Sequence, residues 1–171
     1  MPDAASTKPR ILMFARGYQA DFFPELRDEA YEAVYVTLTR EEAAQVRAKG
    51  AEVAACFEAD YDAITPAEVP EHYLYTSFMA ERFLGRYDHD KRIEILGKEI
   101  AFWRGLLDRY RPVAVLNELV AIEISEVLLI ESRARDIPYL AGMNCVVELV
   151  PPRTLPRTSS GKLSRAKAKK L

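Results

Sequence analysis

The sequence is poor in the residues that build metal sites and disulfide frameworks. Its 171 residues include only two cysteines and two histidines. Cys56 and Cys145 lie far apart among apolar neighbours and form no CxxC pair, so we expect buried, reduced thiols. His72 and His89 lie in polar segments without an evident catalytic partner. Residues 88–90 (Asp-His-Asp) could bind a metal, but a solvated turn is the simpler interpretation, and we predict no metal site.

Long apolar segments are also absent. The first ten residues, MPDAASTKPR, lack the apolar centre of a signal peptide, and no run approaches the roughly 18 residues that would span a bilayer. Apolar residues make up 49% of the chain and charged residues 29%, which is an ordinary globular balance. The sequence therefore predicts a cytoplasmic protein with no membrane span and a core of single-domain size.

Glycine is scarce, with seven residues in the whole chain. Only Gly17 follows the first predicted strand, so the GxGxxG pattern of dinucleotide-binding domains is missing. The stretch 158–162, TSSGK, does not form a P-loop either. Pro156 stands where that motif needs its first glycine, and Leu163 stands where it needs a serine or threonine. We expect no cofactor to be bound by this chain alone.

Charge is distributed unevenly along the chain. Seven of its 24 basic residues follow position 150, where there is no acidic residue, and the first 150 residues hold 17 basic against 26 acidic residues. The protein thus combines an acidic body, with a net charge of −9, and a basic tail. Because no aromatic residue is interleaved with the tail's charges, we do not predict specific nucleic-acid binding.

The hydrophobic pattern predicts an α/β fold: a Rossmann-like, three-layer domain with a mainly parallel sheet. A helical insertion is expected at about residues 71–111. We predict that this domain covers residues 1–141 and that residues 142–171 form a basic, irregular tail. The predicted strands are residues 10–15, 33–37, 52–57, 113–116, 137–140 and 146–150, and the predicted helices are residues 22–31, 40–49, 73–87, 91–111 and 121–135.

Two loops after predicted strands carry polar groups. Ligands of open α/β sheets bind at the carboxyl ends of strands, close to the point where the strand order reverses. Arg16, Gly17 and Tyr18 follow the first strand, and Asn117 and Glu118 end the fourth. These five residues are our candidate substrate-binding site, because forked donors suit a polyhydroxylated or phosphorylated small molecule. In the alternative interpretation Asn117 caps a helix and Arg16 pairs with a surface acid.

Three stretches of the body resemble a known family. They are ILMFARGYQADFFPEL, YLYTSFMAERFL and PVAVLNELVAIEISEVLLIESRARDIPYL. They resemble the N-terminal, Rossmann-like half of surface or capsular polysaccharide biosynthesis proteins, which are similar to GT-B glycosyltransferases. In that family the N-terminal half faces the acceptor and the C-terminal half binds the nucleotide sugar. The resemblance implies a truncated, glycosyltransferase-like domain that is not catalytic alone. Its expected partners are a sugar or lipid-linked acceptor and a protein supplying the missing lobe.

The tail resembles a different family. VELVPPRTLPRTSSGKLSRAKAKKL is similar to the C-terminal end of fatty acyl-AMP ligases, whose signature is P-x-T-x-S-G-K. The resemblance implies that Lys162 contacts the acyl carboxylate and the nucleotide during adenylation, with ATP and Mg as cofactors. The Ser/Thr/Gly-rich, ATP-binding loop of that family is not found in the first 140 residues. Three interpretations of the tail stay open: a ligase fragment that acts in trans, a recombined remnant, and a solvated basic tail. A separate alternative for the whole chain is a binding or scaffold module whose exposed apolar edge drives self-association.

Overall fold

A parallel β-sheet forms the centre of the computed structural model, which describes residues 8–73, 84–117 and 122–141. Within these ranges all five strands are parallel, and their order across the sheet is β3-β2-β1-β4-β5. This order confirms the predicted Rossmann-like α/β fold. The strands are β1 (Arg10–Phe14), β2 (Glu32–Thr37), β3 (Val53–Cys56), β4 (Ala114–Asn117) and β5 (Tyr139–Ala141).

Five helices that lie entirely within the described ranges accompany the sheet. They are α1 (Gln19–Phe22), α2 (Arg40–Ala48), α3 (Phe57–Asp60), α4 (His89–Tyr110) and α5 (Glu123–Arg133). None of them combines the length and the apolar character that a membrane crossing requires.

Both faces of the sheet are buried, because successive side chains of a strand point to opposite sides. From β1, Leu12 and Phe14 enter a core that includes Trp103 of α4, whose ring meets that of Phe14 edge to face at 5.0 Å. Met13 enters a second core with Phe23, on the side of α1 and α2. The domain therefore has the three layers that the sequence predicts.

The start of α2 is stabilised by a capping box. The Thr39 hydroxyl accepts a hydrogen bond from the Glu42 amide at 3.2 Å, and the Glu42 carboxylate accepts one from the Thr39 amide at 2.9 Å. At the other end the helix stops before Gly50, whose φ of +71° is readily adopted only by glycine.

The helix predicted over residues 22–31 is wrong. Helical residues begin earlier, at Gln19, and after Phe22 the chain tightens into a 3₁₀ turn that ends at Leu26. Pro24 lacks the amide hydrogen that an α-helix would use at its next turn. The Asp28 carboxylate then accepts from the Ala30 amide at 2.8 Å, and this local turn competes with helix formation.

The insertion between β3 and β4 is helical where it is described. Residues 71–73 are helical, residues 84–86 form a 3₁₀ turn, and α4 follows. Residues 74–83 of the predicted helix, and the predicted strand at 146–150, lie outside the described residues. Ahead of the insertion the chain crosses α4, where the Ala67 amide donates to the Gly97 carbonyl at 2.9 Å. A Cβ on Gly97 would lie 2.7 Å from the Ala67 carbonyl oxygen, so the crossing requires glycine.

Candidate functional site

The strand order reverses between β1 and β4. From β1 the chain continues outward through β2 and β3, whereas β4 and β5 lie on its other side. The two central strands pair in parallel, with Leu12 opposite Val115 and Met13 opposite Leu116. Their carboxyl ends therefore lie side by side and frame the crevice in which open α/β sheets bind ligands. We call this region the switch crevice, and it is the candidate site.

One wall of the switch crevice is the loop after β1. Gly17 has a φ of +56°, and no atom lies within 4 Å of the position that its Cβ would take. Glycine is thus favoured here by the backbone angle and not by lack of space. The carbonyls of Arg16 and Gly17 accept from the amides of Gln19 and Ala20, so the loop turns directly into α1. Tyr18, which is 51% exposed, lies at the rim.

The Glu42 carboxylate fills the space between this loop and the loop after β2. One oxygen accepts from the Gly17 amide at 2.7 Å, and the other accepts from the amides of Leu38 and Thr39 at 3.0 and 2.9 Å. Three backbone donors of the kind that hold a phosphate in nucleotide-binding loops are therefore bonded to an internal carboxylate. Glu42 therefore occupies the space at the carboxyl ends of β1 and β2. The space at the carboxyl ends of β1, β4 and β5 remains for a ligand.

The other wall centres on Tyr139, the first residue of β5. The Asn117 amide nitrogen donates to the Tyr139 hydroxyl at 2.7 Å, and that hydroxyl donates to the Ser125 carbonyl at 3.3 Å. Burial raises the pKa of Tyr139 to about 12, while the Asn117 hydrogen bond and the charge of Arg16 oppose the rise. The phenol is therefore neutral at physiological pH, and Arg16 lies within electrostatic range of it.

Ser125 adds a buried hydroxyl close to this wall. It lies in the first turn of α5, is fully buried, and its Oγ has no hydrogen-bond partner among the residues that the structure describes. A buried hydroxyl without a partner costs free energy, and a ligand or an ordered water can remove that cost. Apart from this enclosed hydroxyl, the switch crevice combines a guanidinium, an amide and a neutral phenol, which suits binding of a polar molecule.

Four of the five predicted site residues lie in the described part of the chain. The structure brings Arg16 and Asn117 together at the carboxyl ends of β1 and β4. Asn117 donates a hydrogen bond to the Tyr139 hydroxyl, and the charge of Arg16 opposes the rise in the pKa of Tyr139. Gly17 and Tyr18 lie in the same loop as Arg16. Glu118 lies outside the described residues. Asn117 is not a helix cap, as the alternative interpretation had it, because it ends β4 and α5 is capped at Ile122.

Two residues of the site were not predicted. Glu42 has the spacing from Thr39 that a capping box requires, but nothing in its local sequence indicates contact with Gly17. Tyr139 was placed in a strand without a functional role. An acid three residues after a threonine that directly follows a predicted strand is the sequence signal that could have identified Glu42.

The remaining candidates for chemistry lie elsewhere. Cys56 is buried at the end of β3, and Asp88 caps α4 by accepting from the Lys91 amide at 2.8 Å. Within residues 8–73, 84–117 and 122–141, no three side chains of histidine, cysteine, aspartate or glutamate are grouped so as to hold a metal ion. Cys145 and Lys162 lie outside the described residues.

Comparison with known proteins adds no relative to these observations. No protein-family model and no curated protein sequence matches the chain.

Proposed function

We propose that this chain is a sugar-binding, glycosyltransferase-like domain of surface polysaccharide biosynthesis. In this proposal the switch crevice holds a sugar or a sugar phosphate, and a second lobe supplies the nucleotide sugar. The chain then binds one reactant and does not complete a reaction alone. The family resemblance of residues 10–140 supports the proposal, and so does the polar chemistry of the crevice.

The observation that carries the proposal is the set of Arg16, Asn117 and Tyr139 at the strand-order reversal. An arginine and an asparagine, acting with a neutral phenol, offer forked donors and acceptors at one edge. Vicinal hydroxyls and phosphate oxygens require such partners. Because the Gly17 amide is already bonded to Glu42, the crevice favours a compact sugar over a dinucleotide, whose pyrophosphate would need that amide.

Titration of the ¹⁵N-labelled chain with glucose and with glucose 1-phosphate tests this proposal by NMR. We expect the amide signals of the loop after β1 and of Asn117 to shift, and the phosphate ester to bind more tightly. The substitution Arg16→Gln should weaken binding of the ester about tenfold, the cost of one charge-assisted hydrogen bond.

Arg47→Gln is the matched control. It removes the same charge from the exposed last turn of α2, at the opposite edge of the sheet, and should leave binding unchanged. The proposal fails if neither sugar shifts signals at the switch crevice, or if both variants weaken binding equally.

A second function, that of a ligase fragment, is supported by the sequence of the tail alone. Pro156, Thr158, Ser160, Gly161 and Lys162 match the P-x-T-x-S-G-K signature. In this proposal Lys162 completes the adenylation site of a partner that holds ATP and Mg. Its compact positive charge would offset the charge that develops as an acyl carboxylate attacks the α-phosphate.

Pyrophosphate exchange measures this second function directly. The chain is mixed with an adenylate-forming ligase that lacks its own C-terminal lysine, and exchange is followed with a fatty acid and ATP. We expect exchange only in the mixture, and a loss of about 100-fold with Lys162→Ala. Lys167→Ala is the control for tail charge. Equal rates for the unsubstituted chain and Lys162→Ala would rule the function out.

A further inference from the structure

A second cleft lies at the amino ends of the strands, whereas the switch crevice lies at their carboxyl ends. It has a volume of about 370 Å³ and lies between the ends of α4 and α5, where the chain enters β4 and β5. Its walls combine apolar and charged side chains: Leu107, Asp108, Arg111, Pro112, Arg135 and Ile137.

Arg111 has a backbone conformation that an arginine rarely adopts. Its φ of 45° and ψ of 57° are left-handed, at the C-terminal cap of α4, where glycine is the usual residue. The following Pro112 disfavours this conformation further. Such strain is retained where the surrounding structure gains from the side chain. The Arg111 side chain is exposed, and its guanidinium makes no hydrogen bond or ion pair to any residue in the described part of the chain.

Arg135 faces the same cleft in a fixed orientation. Its Nε donates to Asp108 at 2.9 Å, and one terminal nitrogen, Nη1, donates to the Glu131 carboxylate at 2.6 Å. Glu131 is itself held, because Tyr73 and Arg104 donate to its other oxygen at 2.5 and 2.8 Å. The second terminal nitrogen, Nη2, has no such partner among the described residues. Because two carboxylates already hold the Arg135 guanidinium in place, its remaining donors can bind a ligand with little further loss of side-chain entropy.

The charges around the cleft leave an excess of one positive charge. Among the lining residues, Arg111 and Arg135 carry positive charges and Asp108 carries a negative one. The hydrogen bond from Arg135, with further help from the charges of Arg111 and Arg104, lowers the pKa of Asp108, which is ionised at neutral pH. The carbonyl ends of α4 and α5 stabilise the arginines and weaken the attraction for an anion, so we expect modest affinity.

We propose that this cleft binds an oxyanion, a phosphate or a carboxylate, carried on a small apolar body. Arg111 and the second terminal nitrogen of Arg135 would donate charge-assisted hydrogen bonds to the oxyanion. The apolar body would lie against Leu107, Pro112 and Ile137. This site is separate from the switch crevice and does not depend on the function proposed for it.

The test is an NMR titration of the full ¹⁵N-labelled chain with phenyl phosphate and, in a second arm, benzoate. We expect at least one probe to shift the amide signals of Arg111 and Ile137. The probe that binds more tightly shows whether the cleft prefers a phosphate or a carboxylate. Inorganic phosphate should bind more weakly than phenyl phosphate, because it lacks the apolar body.

Arg111→Gly separates binding from folding. Glycine accepts the left-handed backbone, so the melting temperature should be unchanged or higher while affinity falls about tenfold or more. Arg109→Gln is the matched control, since it removes the same charge from the last turn of α4 at a residue that does not line the cleft.

Three results would overturn the proposal: no shift near the cleft with either probe, unchanged affinity in Arg111→Gly, or an equal loss in Arg109→Gln. The last result would show that overall charge attracts the probe and that the cleft has no specific role.

Discussion

Glu42 has two structural roles. It completes the capping box of α2, and it joins the loop after β1 to the loop after β2 through three backbone amides. The geometry of Arg16 at the switch crevice therefore depends on a residue that does not contact the expected ligand.

Replacement of Glu42 by glutamine should destabilise the protein. The amide group keeps one acceptor oxygen and turns a donor toward backbone amides, so at least one buried hydrogen bond is lost. We expect the free energy of unfolding to fall by about 1–3 kcal/mol in urea denaturation. Sugar binding should weaken as well, since the loop that carries Arg16 loses its anchor.

Glu41→Gln provides the control for the Glu42 prediction. Glu41 lies in the same first turn of α2 but is exposed, so its removal should cost only about 0.3–1 kcal/mol through the helix dipole. Equal destabilisation by the two substitutions would show that the buried amide contacts contribute nothing beyond charge at the helix start.

At the scale of elements, the sequence predicts the described strands and the helices α2, α4 and α5 to within a few residues. Each has a signal that is local: an apolar run, a cap, or apolar positions three to four residues apart. The first helix was misplaced because Phe22–Leu26 has a suitable apolar pattern, whereas Pro24 and Asp28 direct the chain into turns. The prediction of the first helix gave more weight to the spacing of apolar residues than to the turn-forming residues Pro24 and Asp28.

The site was predicted less completely, for a reason that lies in topology. Arg16 and Asn117 were found because each follows an apolar run, and that position is visible in the sequence. Contacts of Glu42 with Gly17, and of Tyr139 with Asn117, join residues more than twenty positions apart. Such contacts become evident only when the order β3-β2-β1-β4-β5 is known. The close approach of Gly97 to Ala67 is of the same kind.

At the scale of the whole molecule, the two ends of the sheet offer different chemistry. The switch crevice, with its neutral phenol, lies at the carboxyl ends of the strands. The arginine-lined cleft lies at their amino ends. Between them, several tyrosines lie in the core or pack against it, fully or partly buried. Burial is the largest cause that raises the pKa of five of them, namely Tyr31, Tyr35, Tyr61, Tyr73 and Tyr139.

These shifts predict the stability of the protein at alkaline pH. A tyrosine whose pKa is raised on folding stays neutral in the folded state when the unfolded chain already ionises. Its contribution is fully present below the ordinary pKa of 10 and is lost as the pH rises from there toward the folded value, about 12 for Tyr139. For this residue alone the loss is at most about 2–3 kcal/mol.

Urea denaturation between about pH 8 and pH 11 measures this effect with Tyr139→Phe. At pH 8 the substitution should cost about 1 kcal/mol, because the Asn117 hydrogen bond is lost. Phenylalanine cannot ionise, so the difference from the unsubstituted chain should shrink above about pH 10 and can change sign. Tyr87→Phe, at an exposed position, should follow the unsubstituted chain throughout. A constant difference between Tyr139→Phe and the unsubstituted chain across this range would mean that Tyr139 is not the buried, neutral phenol on which the switch crevice depends.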